Sequence, residues 1–264
     1  MAAADLERGW QVPVQLARAL GFARSLAIYH GLPWRTRALR RHYSAFLGSG
    51  DLAFDVGAHV GNHTRCFVGL GARVIAIEPQ AAFAVWLRRL FRGRPQVTVL
   101  ECALAAAPGV VELYGSPRTP TVATVSRGWI ETVRGRAGFD QVRWAGGIQV
   151  PATTLDALIA RYGLPRFCKI DVEGFEAEVL RGLSQRIPAL SFEYVPAAIE
   201  VARRAAELLA QLGPYRFNPT IGERRRLLWR MWQPLGALDN WLTARQADEP
   251  SGDIYARLEG RGDD

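Results

Sequence analysis

Lys169, Asp171 and Glu173 stand at alternate positions in the run Lys-Ile-Asp-Val-Glu-Gly-Phe-Glu. Period-two alternation puts all three on one side of a strand, provided the strand persists that far. Carboxylates beside an ammonium can hold a reacting hydroxyl and help remove its proton, so all three are candidate catalytic residues. Glu173 is expected to approach the reacting atoms and Asp171 to orient the ligand or the nucleophile; spacing alone leaves the two roles exchangeable. The structural alternative is a buried Lys169–Asp171 ion pair, with Glu173 capping the helix that starts near Gly174. Paired carboxylates also suit Mg²⁺, but the sequence identifies no third oxygen ligand and no metal is assigned. Glu193, closing the fifth expected strand in the run Ser-Phe-Glu-Tyr, is expected at the same rim, either lining an acceptor pocket or as a surface or ion-paired acid.

The second constellation is Phe54-Asp55-Val56-Gly57-Ala58-His59-Val60-Gly61-Asn62-His63-Thr64, a buried strand running into a glycine turn and then a helix. Gly57 and Gly61 permit a sharp turn and close approach to a ligand, and a helix N-terminus offers free N–H groups to an anion. Asp55 is placed to meet an ammonium. His59 and His63 fall in or just after the turn, where an imidazole serves as a base, a substrate contact or a helix flank. Glu78-Pro79 closes the next strand 21 residues after Gly57, near the offset at which an acid reaches ribose hydroxyls. The turn is not Gly-x-Gly-x-x-Gly, which argues against NAD, and no phosphate-binding loop ending in Gly-Lys-Ser/Thr occurs, which argues against ATP. A ligand with a ribose, an ammonium and a carboxylate but no pyrophosphate is S-adenosylmethionine.

The elements that must position these groups alternate. Short β-rich runs at 52–56, 73–77, 97–100, 166–171 and 189–194 are separated by helix-like stretches at 81–91, 154–162, 175–184 and 196–212. Nearly continuous apolar strands between helices imply a parallel sheet covered on both faces, with ligands beyond the strands' carboxyl ends. The expected fold is therefore α/β, doubly wound and mostly parallel. Ahead of it, residues 1–50 read as a helical extension of two helices broken at Gly31-Leu32-Pro33. Leu16, Leu20, Ala23 and Ala27 share one face of the first, and Leu39, Tyr43 and Phe46 one face of the second. Residues 105–150, with Gly-Val-Val-Glu-Leu-Tyr-Gly at 109–115 and a strand candidate at 147–153, read as an inserted loop or hairpin. Residues 223–250 read as a helical insertion or lid, because Leu228, Met231, Trp232, Leu235, Leu238 and Leu242 recur at helical spacing.

Composition sets the outer bounds. The 264 residues are 49% hydrophobic and 22% charged with mean hydropathy near zero, which fits a folded globular chain and not a disordered or membrane-spanning one. Asp5, Glu7 and Arg8 stand where a signal peptide needs a basic start and an apolar run, so the chain reads as cytoplasmic, with a position peripheral to the inner membrane left open. Cys66, Cys102 and Cys168 are too scattered for a disulfide framework or zinc site. The net charge of +8 points to an anionic partner, but all 33 basic residues except Lys169 are Arg, the mark of a GC-rich coding sequence.

Phe-Asp-Val-Gly-Ala-His-Val-Gly-Asn-His-Thr, Ala-Ile-Glu-Pro-Gln, Cys-Ala-Leu-Ala at 102–105, Thr-Thr-Leu-Asp-Ala-Leu-Ile and Lys-Ile-Asp-Val-Glu-Gly-Phe-Glu-Ala-Glu-Val-Leu-Arg-Gly-Leu follow one another in an order that resembles the FkbM family of S-adenosylmethionine-dependent methyltransferases, over roughly residues 50–220. The resemblance implies a seven-stranded Rossmann-like methyltransferase sheet over 51–264, with an antiparallel last strand that Gly-Asp-Ile-Tyr-Ala-Arg-Leu at 252–258 fits. It implies S-adenosylmethionine held by Asp55, Gly57, Ala58, His59, Gly61, Asn62, Glu78 and Pro79. Adenine would sit near Glu101 and Cys102, where a thiol replaces a clearer polar donor. It further implies O-methylation of a hydroxyl on a sugar, glycolipid or polyketide.

Arg224, Arg225, Arg226, Arg230 and Arg245 with Trp229, Trp232 and Trp241 describe either a helix packed over the sheet or a basic membrane-surface helix. The expected partner is a small-molecule or glycan acceptor; on the membrane-surface reading of this segment, that acceptor is lipid-linked. Nucleic acid is not expected: an RNA or DNA methyltransferase of this fold should carry Asp/Asn-Pro-Pro-Tyr/Phe after the fourth strand, where the chain reads Asp-Val-Glu-Gly. A non-catalytic basic module with a vestigial pocket should have lost the crevice acids, and these are all present.

Overall fold

A computed structural model describes residues 33–116, 119, 122–136, 138–144, 146–222 and 226–260. The first expected helix, with Leu16, Leu20, Ala23 and Ala27, lies outside the described residues, as do Arg224 and Arg225. The second forms as α1 (Pro33–Tyr43). The alternating core follows as β1 (Leu52–Val56), α2 (Asn62–Gly69), β2 (Arg73–Ile77), α3 (Ala81–Leu90) and β3 (Val97–Leu100). An excursion comes next: β4 (Ala103–Leu104), β5 (Gly109–Leu113), α4 (Arg127–Val133) and β6 (Ile148–Thr153). The chain then returns through α5 (Leu155–Tyr162), β7 (Phe167–Ile170), α6 (Glu176–Arg181), β8 (Ala189–Tyr194), α7 (Ile199–Leu212), β9 (Tyr215–Pro219), α8 (Leu235–Thr243) and β10 (Gly252–Leu258).

Seven strands form the main sheet in the order β3-β2-β1-β7-β8-β10-β9. All neighbours from β3 to β8 pair parallel, and β10 inserts antiparallel between β8 and β9. The expectation of a doubly wound, mostly parallel sheet with an antiparallel last strand holds. The excursion is a separate sheet ordered β4-β6-β5, in which β5 and β6 pair antiparallel, so the hairpin expected there forms.

Strand alternation sends side chains to two helical layers. One face packs Phe54, Val56, Ile75, Ile77, Ile170 and Phe192 against α5, α6, α7 and α8. On the other, Ala53, Val74, Phe167 and Tyr255 meet Leu39, Tyr43, Phe46 and Phe67. The N-terminal α1 is thus part of a core layer, its Leu39-Tyr43 stripe buried against the sheet.

The 223–250 segment departs from its expected form. Helix starts only at Leu235, after Pro234, which lacks the N–H that an interior turn requires. Before it the chain follows β9 through a series of bends, with Leu228 N donating to Pro219 O and Gln233 exchanging both backbone hydrogen bonds with Phe217. The helical spacing of Leu228, Met231 and Trp232 was therefore not a buried stripe: Leu228 and Met231 are 42% and 68% exposed. This strap closes the outer edge of the sheet, which would otherwise offer unpaired backbone groups.

Candidate active site

The carboxyl ends of β1, β2, β7 and β8 open into a cleft of about 650 Å³. Its floor begins where β1 parts from β7, the switch point of a doubly wound sheet. Gly57 and Ala58 both donate to Ile77 O and carry the chain over the sheet's edge. Gly57 takes φ +80, and a Cβ there would stand 1.8 Å from the carbonyl oxygen of Asp171. His59 follows in the left-handed region at φ 47, strain accepted at a position whose N–H donates to Glu78 Oε2 at 2.8 Å. Gln80 N donates to Glu78 Oε1 at 2.8 Å, so both oxygens of this buried carboxylate are fixed at the cleft wall. Burial pushes the Glu78 carboxyl up to about 7 against the opposing pull of those two N–H donors.

Gly57, His59, Asn62, Glu78, Pro79 and Cys102 line the cleft, as the sequence suggested. Helix α2 enters it behind Gly61, which offers no side-chain cap, and the Thr64 N–H of its first turn is held by Asp55. Asp55, Ala58, Gly61 and Glu101 are placed otherwise. Asp55 lies beneath the turn, 1% exposed, accepting from Thr64 Oγ1; burial raises its carboxyl to about 6. Ala58 packs with Ala76 and Leu87. A Cβ on Gly61 would meet Leu87 Cδ2 at 2.6 Å, so that glycine admits α3 and not a ligand. Glu101, just past the end of β3, turns outward to Arg88 at 2.8 Å, while its neighbour Cys102 faces the cleft. Of the pair expected near adenine, only Cys102 therefore lines the cleft.

At the reacting end the strand does not persist. β7 stops at Ile170, and Glu173 reaches the cleft through a left-handed turn at φ 54. Three contacts hold that turn. Glu176 Oε1 accepts from Val172 N and Gly174 N, Thr124 Oγ1 donates to Glu173 O at 2.6 Å, and Gly174 leaves room for the Trp129 ring. Glu173 caps no helix; Phe175 occupies that position.

The Lys169–Asp171 pair forms at 2.9 Å, and Lys169 Nζ also reaches Asp253 Oδ1 at 3.2 Å. Burial works to lower the ammonium's pKa, but Asp171 and Asp253 outweigh it and keep Lys169 charged. Asp253 went unrecognised in the sequence, since nothing local marks this second residue of β10 as a partner of Lys169. Across the sheet, Asp55, Lys169, Ser191 and Tyr255 stand in one register row on one face. One row further out, oxygens of Asp171, Glu173 and Glu193 lie within 4.8 Å of one another. Burial first, and repulsion between these acids second, push the Glu173 and Glu193 carboxyls well above the usual range. Tyr43 closes the cleft from α1, its hydroxyl 3.0 Å from His63 Nδ1.

The methyltransferase FkbM domain model matches residues 55–229. Hexuronic acid methyltransferase AglP of Haloferax volcanii is 28% identical over 173 residues, 61% of this chain; the match spans 64% of that relative's own length. Among solved structures, the O-methyltransferase from Bacillus cereus in complex with SAH covers 95% of this chain and 94% of its own at 14% identity and TM-score 0.47. An rRNA methylase from Streptococcus thermophilus covers 83% and 94% at 10% identity and TM-score 0.42.

Proposed function

The chain belongs to the FkbM methyltransferase family, whose members use S-adenosylmethionine, and on that premise we propose that it transfers a methyl group to a hydroxyl of a sugar or related polyol. The observation that carries the reading is the continuity of one cleft, with Glu78 and the Gly57 turn at one end and Asp171, Glu173 and Glu193 at the other. The cofactor fits the first end: a rigid carboxylate accepts from ribose hydroxyls, and the backbone of the glycine turn leading into α2 meets the methionine carboxylate. Bound there, S-adenosylmethionine supplies an electrophilic methyl group on a sulfonium.

The chain's own residues do the rest. Gly57 lets the cofactor turn and the Asp171 loop touch backbone to backbone, which sets the two ends of the cleft in register. Lys169 is a positioning residue, holding Asp171 from below while staying charged. Glu173, held by Thr124 and Glu176 in a strained turn, presents a carboxylate oxygen to the acceptor hydroxyl and takes its proton as the oxygen attacks. In-line transfer asks that the hydroxyl be held about 3 Å from the methyl carbon, a task for Asp171 and Glu193.

Charge favours a small or glycan acceptor over nucleic acid. Although the whole chain carries +8, the described cleft lining includes Asp171, Glu173, Glu193, Asp248, Glu249 and Asp253 but no Arg, and a phosphate backbone would be repelled there. No helix of the described residues is long and apolar enough to cross a membrane. Exposed Leu228 and Met231 beside Arg226 and Arg230 mark where a lipid-linked acceptor would bring the chain to a membrane surface.

The test is S-adenosylhomocysteine release with hexose and hexuronate glycosides as acceptors, with methoxy groups located by NMR. An O-methylated product that disappears in Glu173→Gln is expected; methyl transfer to nitrogen or carbon, or turnover undiminished in the variant, would overturn the reading.

A further inference from the structure

Three carboxylates meet at the acceptor end of the cleft with too little positive charge to balance them. Lys169 is committed to Asp171 and Asp253, and among the described residues no ion pair reaches Glu173 or Glu193. Glu193 Oε2 is buried and has no hydrogen-bond partner among the described residues. Directly below it on the same strand face, the Ser191 hydroxyl is also fully buried and unpartnered. An orphaned carboxylate oxygen in such a place costs the fold several kcal/mol unless a proton or cation meets it. Its two neighbours stand where co-ligands belong. The three oxygens lie within 4.8 Å of one another, about twice the ~2.4 Å from a hard divalent cation to its oxygen ligands.

We propose that Asp171, Glu173 and Glu193 form a binding site for one divalent cation of the Mg²⁺, Mn²⁺ or Ca²⁺ type, at the acceptor end of the cofactor cleft. All-oxygen ligation selects these hard ions over zinc or copper. The cleft gives the ion a solvent path, and the left-handed turn at Glu173 brings in a ligand that a continuing strand would not. The inference rests on reading this cleft as a methyl-transfer site and gives the cluster a further task. The ion draws the acceptor hydroxyl to itself and lowers its pKa. The hydroxyl proton passes to a carboxylate oxygen; the oxygen's electron pair forms the bond to the methyl carbon, the carbon–sulfur bond breaks, and the sulfonium leaves as a neutral thioether.

The experiment is a Mn²⁺ titration of the full chain, freed of metal by chelation, followed by electron paramagnetic resonance with and without S-adenosylhomocysteine. One Mn²⁺ per chain is expected, with a dissociation constant of about 1 mM or tighter, displaced by Mg²⁺ or Ca²⁺. Glu193→Gln should weaken it at least tenfold, and the surface variant Glu207→Gln should leave it unchanged. Should Glu193→Gln fail to fold by circular dichroism, Glu173→Gln takes its place. Absence of stoichiometric Mn²⁺ binding, or binding indifferent to both cluster variants, overturns the site. Binding of S-adenosylhomocysteine by the same samples reports separately on the methyl-transfer reading, so loss of one does not masquerade as loss of the other.

Discussion

Gly57 and Asp171 meet so closely that an added Cβ on the glycine would lie 1.8 Å from the aspartate's carbonyl oxygen. The contact joins the cofactor turn after β1 to the acceptor loop after β7, two loops more than a hundred residues apart in sequence. Gly57→Ala must either push these loops apart or abandon φ +80. We expect it to weaken S-adenosylhomocysteine binding at least tenfold and to destabilise the fold by about 2–4 kcal/mol. Gly93→Ala is the control, since φ +76 there faces open space; it should cost about 1 kcal/mol and leave binding intact. Calorimetry and thermal melts of the two variants decide it, and equal effects would contradict the account.

Glu78 gives the cofactor affinity a pH dependence. Its carboxyl titrates at about 7, and the ionised form is the better acceptor for ribose hydroxyls. Affinity for S-adenosylhomocysteine should therefore rise between pH 6 and pH 8, whereas Glu78→Ala should bind tenfold or more weakly with a flat profile. An undiminished pH response in the variant would move the titrating group elsewhere.

Glu176 affects stability in the opposite sense from an ion-paired acid. Burial lifts its carboxyl from 4.5 to about 7, even though backbone N–H groups favour the charged form. The folded state then holds the proton more tightly than the unfolded state. Stability is lost as pH rises from about 4.5 to 7 and stays reduced above, by about 3 kcal/mol. One oxygen, Oε1, accepts both hydrogen bonds, so Glu176→Gln preserves them. Relative to wild type, the variant should gain stability between pH 5 and pH 8 in urea denaturation; a constant offset across that range would contradict the assignment.

Lys169 is 2% exposed between Asp171 and Asp253. Lys169→Met leaves two acids facing each other without a counter-charge and should cost about 3–5 kcal/mol. Adding Asp171→Asn and Asp253→Asn should restore most of that stability but not methyl transfer. Full stability of the single variant would show that the ammonium balances nothing.

Whatever the sequence states locally, it states well. The β1 strand, the glycine turn, Glu78 at the end of β2 and the Lys169–Asp171 pair are each set by neighbours within a few residues, and motif and periodicity reach that far. What had to be learned from the fold depends on register between distant strands. Asp253 reaches Lys169 because β10 inserts beside β8, and Glu193 meets Glu173 only because a left-handed turn redirects the chain after Ile170. Glu101 and the 226–234 strap were misread for a different reason. In the first, Glu101 and Cys102 lie just past the end of β3, where strand periodicity no longer says which side chain faces the cleft; in the second, helical spacing coincides with a bent segment that bridges to the sheet edge.

The central claim is that the cleft between Gly57 and Glu78 holds S-adenosylmethionine. It is tested most directly by calorimetric titration of the full chain with S-adenosylmethionine, S-adenosylhomocysteine and NAD. Stoichiometric binding of the two adenosyl ligands, weakened at least tenfold by Glu78→Ala, with no binding of NAD, is the predicted result. Failure of both adenosyl ligands to bind the folded protein, or binding of NAD as tight as theirs, would contradict it.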